Sequence, residues 1–232
     1  MKIEIYADGA NIEEFIKLNQ LEYIKGFTTN PTLMRKNQIE NYEIFAKSLT
    51  QVIKEKPISF EVFADDLDEM YVQAKKIKAI ADNIFIKIPI TNTKGESTND
   101  LVINLLNEGI KVNVTAIFLI EQCLDLIENY KNNTPLILSY FAGRVADTGI
   151  DPIPEIKKFI DKSKEKNNLK ILWASPREVL NIRQADEIGC QIITVTKDLL
   201  DKMTLFDKNL KKYSLETVKM FYDDAGKSGY YI

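Results

Sequence analysis

The chain reads as an α/β protein closed into a (β/α)8 barrel, with an additional C-terminal helix. Three observations predict this. Eight short apolar runs alternate with longer segments of helical periodicity. No Gly-rich GxGxxG turn follows the first run, which disfavours a doubly wound open sheet. No Pro/Gly/Ser-rich linker interrupts the 232 residues. Residues 1–232 are therefore expected to form one barrel domain, with 204–232 as a helical tail.

The first strand, Lys2–Asp8, alternates Ile3, Ile5 and Ala7 with Glu4, Tyr6 and Asp8. The second, Gly26–Asn30, runs into Pro31, so that Asn30 suits an N-cap and Pro31 the first helical position. In the third, Ile58–Ala64, Ile58, Phe60 and Val62 oppose Ser59, Glu61 and Phe63. Leu67, Met70, Tyr71, Ala74, Ile77 and Ala81 then recur at helical spacing. The fourth strand, Ile84–Ile90, sends four isoleucines to one face and Phe85 and Lys87 to the other. A stripe of Leu101, Val102, Leu105 and Leu106 precedes the fifth, Lys111–Thr115, where Val112 and Val114 oppose Asn113 and Thr115. The sixth, Leu136–Phe141, sets Leu136 and Leu138 against Ile137, Ser139 and Phe141, and ends in Gly143-Arg144.

Ile153, Ile156, Phe159 and Ile160 predict a further helix, whose solvated end and loop account for the charged run Lys162–Lys170. The seventh strand, Lys170–Ala174, leads into Ser175-Pro176-Arg177-Glu178. Serine at N-cap, proline at N1 and glutamate at N3 predict a capping box. The eighth strand is Gln191–Val195. Beyond it Leu215, Val218, Met220 and Phe221 belong to a helix that barrel closure does not need. Its apolar residues are expected to cover the barrel mouth or a neighbouring subunit.

With 45% hydrophobic residues and a net charge of −3, the chain is globular and has no basic footprint for nucleic acid or an anionic membrane. No apolar run approaches the ~20 residues that span a bilayer. No signal-peptide h-region follows Met1, so a cytoplasmic location is expected. Cys123 and Cys190 lack CxxC spacing and read as small buried hydrophobes. The chain has no histidine, which excludes Ser-His-Asp and Cys-His nucleophile systems and histidine-ligated metals. Proton transfer falls to carboxylates, lysine, tyrosine or water.

One face of several strands gathers Asp8, Glu61, Lys87, Asn113, Thr115 and Ser139. In a barrel that face is the interior, and polar residues at C-terminal strand ends read as an active site. A lysine amine enclosed there is disfavoured as an ammonium, and the neutral amine is a nucleophile towards carbonyls. Plainer explanations exist for single residues. Lys87 could be solvated on an edge strand, Asp8 could cap a turn before Gly9, and Glu61 could simply pair with Lys87. Asn113 and Thr115 could satisfy each other. Arg177, in the first turn of the helix predicted after Ser175, opposes the helix dipole unless an anion binds there. Phosphate after strands seven and eight is common in such barrels, and Arg144 adds a second guanidinium.

The markers Ala7-Asp8, Gly26-Phe27-Thr28-Thr29-Asn30-Pro31-Thr32, Phe60-Glu61-Val62, Ile86-Lys87-Ile88-Pro89, Asn113-Val114-Thr115, Ser139-Tyr140-Phe141-Ala142-Gly143-Arg144 and Ala174-Ser175-Pro176-Arg177 span nearly the whole chain. In this order they resemble the transaldolases, particularly the short form that includes fructose-6-phosphate aldolases. The resemblance implies a class I mechanism with no cofactor and no metal, on phosphorylated sugars, as in the pentose phosphate pathway. Lys87 would form the Schiff base, and Asp8 would exchange the proton of the C4 hydroxyl. Glu61 and Thr115, with a water, would shuttle protons during Schiff-base formation. Asn30, Asn113 and Ser139 would hold the dihydroxyacetone hydroxyls, and Arg144, Ser175 and Arg177 the phosphate. In the resembling aldolases a tyrosine matches Phe141 and a glutamine matches Glu61, so the resemblance points to transfer more than to simple cleavage. The rival expectations are an aldolase releasing dihydroxyacetone and a non-catalytic phosphosugar-binding barrel. Short relatives often form rings, commonly decamers, so a homo-oligomer is expected. Gly9-Ala10-Asn11, Tyr140 and Pro176 depart from the family pattern.

Overall fold

A parallel strand covered on both faces needs apolar side chains in both directions, and the runs around Ile58, Ile84, Val112 and Leu136 supply them. In a computed structural model, which describes residues 1–131 and 133–229, these runs are strands of one sheet. The strands are β1 (Glu4–Asp8), β2 (Ile24–Thr28), β3 (Ile58–Glu61), β4 (Ile84–Pro89), β5 (Val112–Ile117), β6 (Leu136–Tyr140), β7 (Leu169–Trp173) and β8 (Ile192–Thr196). They pair in parallel in chain order, and β8 returns to β1 to close the barrel. The fold is the expected (β/α)8 barrel.

The intervening helices are α1 (Ile12–Asn19), α2 (Pro31–Lys36), α3 (Tyr42–Val52), α4 (Leu67–Lys78), α5 (Asn99–Asn107), α6 (Leu124–Asn129), α7 (Ala142–Ala146), α8 (Ile153–Ser163), α9 (Leu180–Glu187) and α10 (Lys197–Lys202). The chain divides into two compact units, residues 1–197 with the barrel and residues 198–232. The second unit holds α11 (Leu210–Ser228), none of whose side chains is buried. Leu215, Val218, Met220 and Phe221 are all at least half exposed. No helix among the described residues is long and apolar enough to cross a membrane.

Asn30 caps α2 as expected, accepting from the Leu33 amide at 2.9 Å with Pro31 at the first helical position. Two expectations fail. Arg144 does not end a strand; it lies in α7, which follows β6 directly. Ser175-Pro176-Arg177-Glu178 does not form a capping box, because α9 begins only at Leu180. Ser175 sits in the left-handed region, φ 62°, where a helix cannot start. The Asn181 side chain, reaching back from α9, accepts from the Arg177 and Glu178 amides instead. Arg177 is therefore at no helix N-terminus, and the dipole argument for its binding an anion falls away.

Tyr6, Phe85, Ile137, Leu172, Ala174 and Ile192 pack into one buried apolar cluster. Tyr6, Phe85, Ile137 and Ile192 each stand two residues before Asp8, Lys87, Ser139 and Thr194, hence on the same strand face. Gly26 makes room for the Tyr6 ring, whose atoms lie 2.6 Å from where a Cβ would be. This apolar layer fills the barrel below its C-terminal end, and the polar residues form the next layer above it.

Candidate active site

The C-terminal strand ends surround a cavity of about 530 Å³. Asp8, Asn30, Glu61, Lys87, Thr115, Ser139, Phe141, Arg144, Ser175 and Arg177 all line it. They come from β1, β3, β4, β5 and β6 and from the segments after β2, β6 and β7.

Lys87 is buried, 7% exposed, which rules out a solvated edge-strand lysine. Strand register sets Glu61 directly beside it on β3 and Asn113 beside it on β5. The Lys87 Nζ lies 3.1 Å from Glu61 Oε2 and donates to the Thr29 carbonyl at 3.1 Å. Neither charge is left unpaired in the enclosed site, where an isolated one would be costly. The backbone carbonyl of Glu61 accepts from the Tyr42 hydroxyl at 2.7 Å, which fastens the end of β3 to α3.

Asp8 does not cap a turn. Its carboxylate accepts from Thr28 Oγ1 at 2.7 Å and, at a longer 3.4 Å, from Asn30 Nδ2. Burial pushes the Asp8 carboxyl above its ordinary range, against the opposing pull of Lys87 and of these two donors. Thr28 Oγ1 is also 2.5 Å from Thr194 Oγ1, across the β1 strand that separates them in the sheet.

Asn113 is the expected site residue that does not reach the cavity. It is fully buried, accepts from Ser139 Oγ at 2.6 Å and donates to Ser59 Oγ at 3.0 Å. It holds Ser139 from behind. Nor do Asn113 and Thr115 satisfy one another: the buried Thr115 Oγ1 has no hydrogen-bond partner among the described residues. Thr115 lines the same cavity as Lys87, and an unpaired hydroxyl there has hydrogen bonds to offer a bound molecule. Register shifts between β5 and β6 after Val114, and Ala116 adopts φ 60°. Ala116 and Ser175, both left-handed without being glycine, both line the cavity. Strained backbone of this kind clusters at functional sites.

Phe141 packs against Phe118 at 5.7 Å between ring centroids, and the Arg144 guanidinium stands over the Phe141 ring, 5.4 Å from its centroid. Arg177 donates through Nε to both carboxylate oxygens of Asp147, at 2.9 and 3.1 Å, and through Nη2 to the same carboxylate. Its Nη1 reaches Ser175 Oγ at 3.2 Å. The guanidinium next to Asp147 holds that carboxyl below the usual range. Lys36, at the end of α2, joins Lys87, Arg144 and Arg177 as a fourth basic side chain on the cavity wall.

Thr194, Lys36 and Asp147 were not singled out in the sequence, and Thr28 and Ser59, though named there, were given no site role. Thr28 carried a usable signal, since it shares strand parity with Gly26 and Asn30. Asp147 shows none, because its partner is 30 residues away.

The cavity thus offers an enclosed amine with a carboxylate beside it, a second carboxyl that burial favours protonating, and guanidinium groups for an anion. Comparison with known proteins agrees with this chemistry. Residues 5–229 match the family model described as Transaldolase/Fructose-6-phosphate aldolase. A probable transaldolase of Nitrosopumilus maritimus is 32% identical over 203 residues, 87% of each chain. One from Methanococcus vannielii is 32% identical over 215 residues, 92% of this chain and 94% of the other. One from Streptococcus equi subsp. zooepidemicus is 31% identical, covering 87% and 90%. Among solved structures, a putative dihydrodipicolinate synthase family protein from Coccidioides immitis superposes with a TM-score of 0.61 at 9% identity, covering 95% of this chain and 74% of the other. KGPDC from Streptococcus mutans gives 0.54 at 9% identity, covering 85% and 89%. At that identity these two speak for the barrel alone, whereas the family-model match runs from β1 to the end of α11. The chain belongs to the transaldolase/fructose-6-phosphate aldolase family.

Proposed function

We propose that the protein is a transaldolase, moving a dihydroxyacetone unit from a ketose phosphate to an aldose phosphate through a Schiff base on Lys87. The observation that carries the reading is the buried Lys87–Glu61 pair, 3.1 Å apart, in a cavity also lined by Arg144 and Arg177. As the ketose C2 carbonyl approaches, Glu61 takes a proton from the ammonium, the freed amine adds to C2, and a second proton passes from the nitrogen to the C2 oxygen to give a carbinolamine. Glu61 returns the proton to the departing hydroxyl, which leaves as water, and an iminium forms. The unpartnered Thr115 hydroxyl orients that water.

Asp8 then removes the C4 hydroxyl proton. The C3–C4 bond breaks, its electron pair passes into the iminium, and the first aldose phosphate departs. The enamine left on Lys87 attacks the second aldehyde through C3, and Asp8 protonates the new C4 alkoxide. Water reverses the first steps and frees the new ketose. Burial raises the Asp8 carboxyl towards the range in which a group both accepts and returns a proton. Ser139 and Asn30 hold the donor hydroxyls, Ser139 being fixed by Asn113. Arg144, Ser175, Arg177 and Lys36 receive the phosphate. No step requires a metal or a cofactor. The same reading includes a cytoplasmic role in sugar phosphate metabolism and a homo-oligomer in which α11 covers a neighbouring copy.

Phe141 decides between transfer and cleavage. Releasing free dihydroxyacetone requires protonation of the enamine carbon before hydrolysis, and a phenylalanine ring has no proton to give. Borohydride added with a ketose phosphate should place a stable mass on a peptide containing Lys87, and Lys87→Met should abolish it. Turnover should require an acceptor aldehyde, and Phe141→Tyr should gain acceptor-free release. An adduct on another lysine overturns the mechanism. Rapid release of dihydroxyacetone by the unmodified protein promotes the aldolase reading instead.

A further inference from the structure

Three side chains from three strands form a continuous line of oxygens: Thr194 on β8, Thr28 on β2 and Asp8 on β1. Both hydroxyls are buried, Thr28 2% and Thr194 6% exposed. A threonine hydroxyl has one proton to donate. When Thr28 gives it to the Asp8 carboxylate, its contact with Thr194 is a hydrogen bond only if Thr194 is the donor. Ionised Asp8 therefore sets one order, Thr194 to Thr28 to Asp8, with both O–H dipoles pointing their positive ends at the charge. Such chains polarise one another, so the second hydroxyl strengthens the bond made by the first. Protonation of Oδ1 reverses the order: Asp8 then donates to Thr28, and Thr28 to Thr194.

We infer that Thr194 is a positioning residue for Asp8, acting through Thr28, and that the two hydroxyls hold the Asp8 carboxylate oriented and ionised to receive a substrate hydroxyl proton. This rests on the reading of Asp8 as the group that takes the C4 hydroxyl proton. The other groups facing Asp8 are Lys87 from β4, which favours its ionised form, Glu61 from β3, which opposes it, and Asn30 after β2. Burial also opposes ionisation, and the hydroxyl line works in the other direction. Thr194 lines the cavity, so its effect lies at the reacting end of the barrel.

The test is a cycle of Thr194→Val, Thr28→Val and the double variant, with Thr194→Ser as the conservative control. The acid limb of the kcat/KM profile should move upward by about half to one pH unit in Thr194→Val. Thr28→Val should move it further. The double variant should match Thr28→Val alone, because Thr194 has no route to Asp8 once Thr28 is gone. Thr194→Ser should keep the original profile. Titration of the Asp8 carboxyl by ¹³C NMR, its signal identified by loss in Asp8→Asn, should show the same ordering without reference to catalysis. An Asp8 titration unchanged in Thr194→Val, or shifts that add in the double variant, overturns the inference. Full carbon–carbon cleavage by Asp8→Asn overturns the role of Asp8 instead, while the NMR titration still decides the relay. Should Thr28→Val fail to fold, the contrast between Thr194→Val and Thr194→Ser decides alone.

Discussion

At the scale of single residues, Arg177 commits one edge of its guanidinium to Asp147 and keeps the other towards Ser175 and the cavity. Fixing the fork in this way lowers the ordering cost of binding a phosphate. Arg177→Ala should raise KM for phosphorylated substrates while unphosphorylated analogues are little affected. The side chain is partly exposed, 44%, so the loss should fall at or below the low end of a charged hydrogen bond, about 1–1.5 kcal/mol, roughly 5–12-fold. Asp147→Ala should act in the same direction but less. Equal losses for both substrate types would sink the phosphate assignment. Asp8 makes a second residue-scale prediction. Its folded carboxyl is raised, so between the unfolded value near 3.8 and the higher folded value the native state binds more protons than the unfolded chain. Stability therefore falls as pH rises through that window. Asp8→Asn removes the buried charge and should raise Tm at pH 7, with the difference shrinking towards pH 4. A lower Tm at pH 7 would contradict the direction of the shift.

At the scale of elements, the segment after β7 is held against α7 by the smallest possible contact. A Cβ on Gly143 would stand 1.5 Å from the Ser175 carbonyl oxygen, a clash with backbone that no rotamer relieves. The Gly143 amide donates to the Ala174 carbonyl at 3.3 Å. Arg144, Ser175 and Arg177 thus occupy one rigid corner, in which the left-handed Ser175 and the missing Cβ depend on each other. Gly143→Ala should cost at least the ~1–3 kcal/mol of overpacking and should weaken binding of phosphorylated substrates as the corner shifts. Thermal melts with a phosphate competition assay would measure both, and an unaltered affinity would refute the coupling. Gly26→Ala belongs to the same class, since its Cβ would meet the Tyr6 ring at 2.6 Å, but it should lower Tm without changing phosphate preference.

At the scale of the whole molecule, α11 exposes Leu215, Val218, Met220 and Phe221. Leu215, Val218 and Tyr222 recur at three- and four-residue spacing and so share a face. An apolar stripe of this kind needs a cover to be stable in water. Sedimentation at micromolar concentration should give an assembly larger than a monomer, and removal of residues 210–232 should shift it to smaller species. A monomer for the complete chain would refute the oligomer.

The alternation of apolar and polar residues along each strand determined the barrel, because a closed parallel sheet imposes a period of two on every strand and covers both faces. The same period was enough to bring Asp8, Glu61, Lys87, Thr115 and Ser139 to one interior face, and the Asn30-Pro31 cap followed from local chemistry alone. Only the tertiary structure decided what happens where the strands end. The segment from Ser175 to Glu178 carries the residues of a helix start, yet the fit of its carbonyl over Gly143 and the reach of Asn181 impose a turn. Asn113 has the parity of a site residue, but its depth in the barrel turns it into the support of Ser139. Thr194, Thr28 and Asp8 meet only because closure sets β8 and β2 on either side of β1. Strand parity is a local property and can be read from neighbours in sequence. Depth, closure and steric fit depend on residues far apart in the chain, and these are decided when the barrel closes.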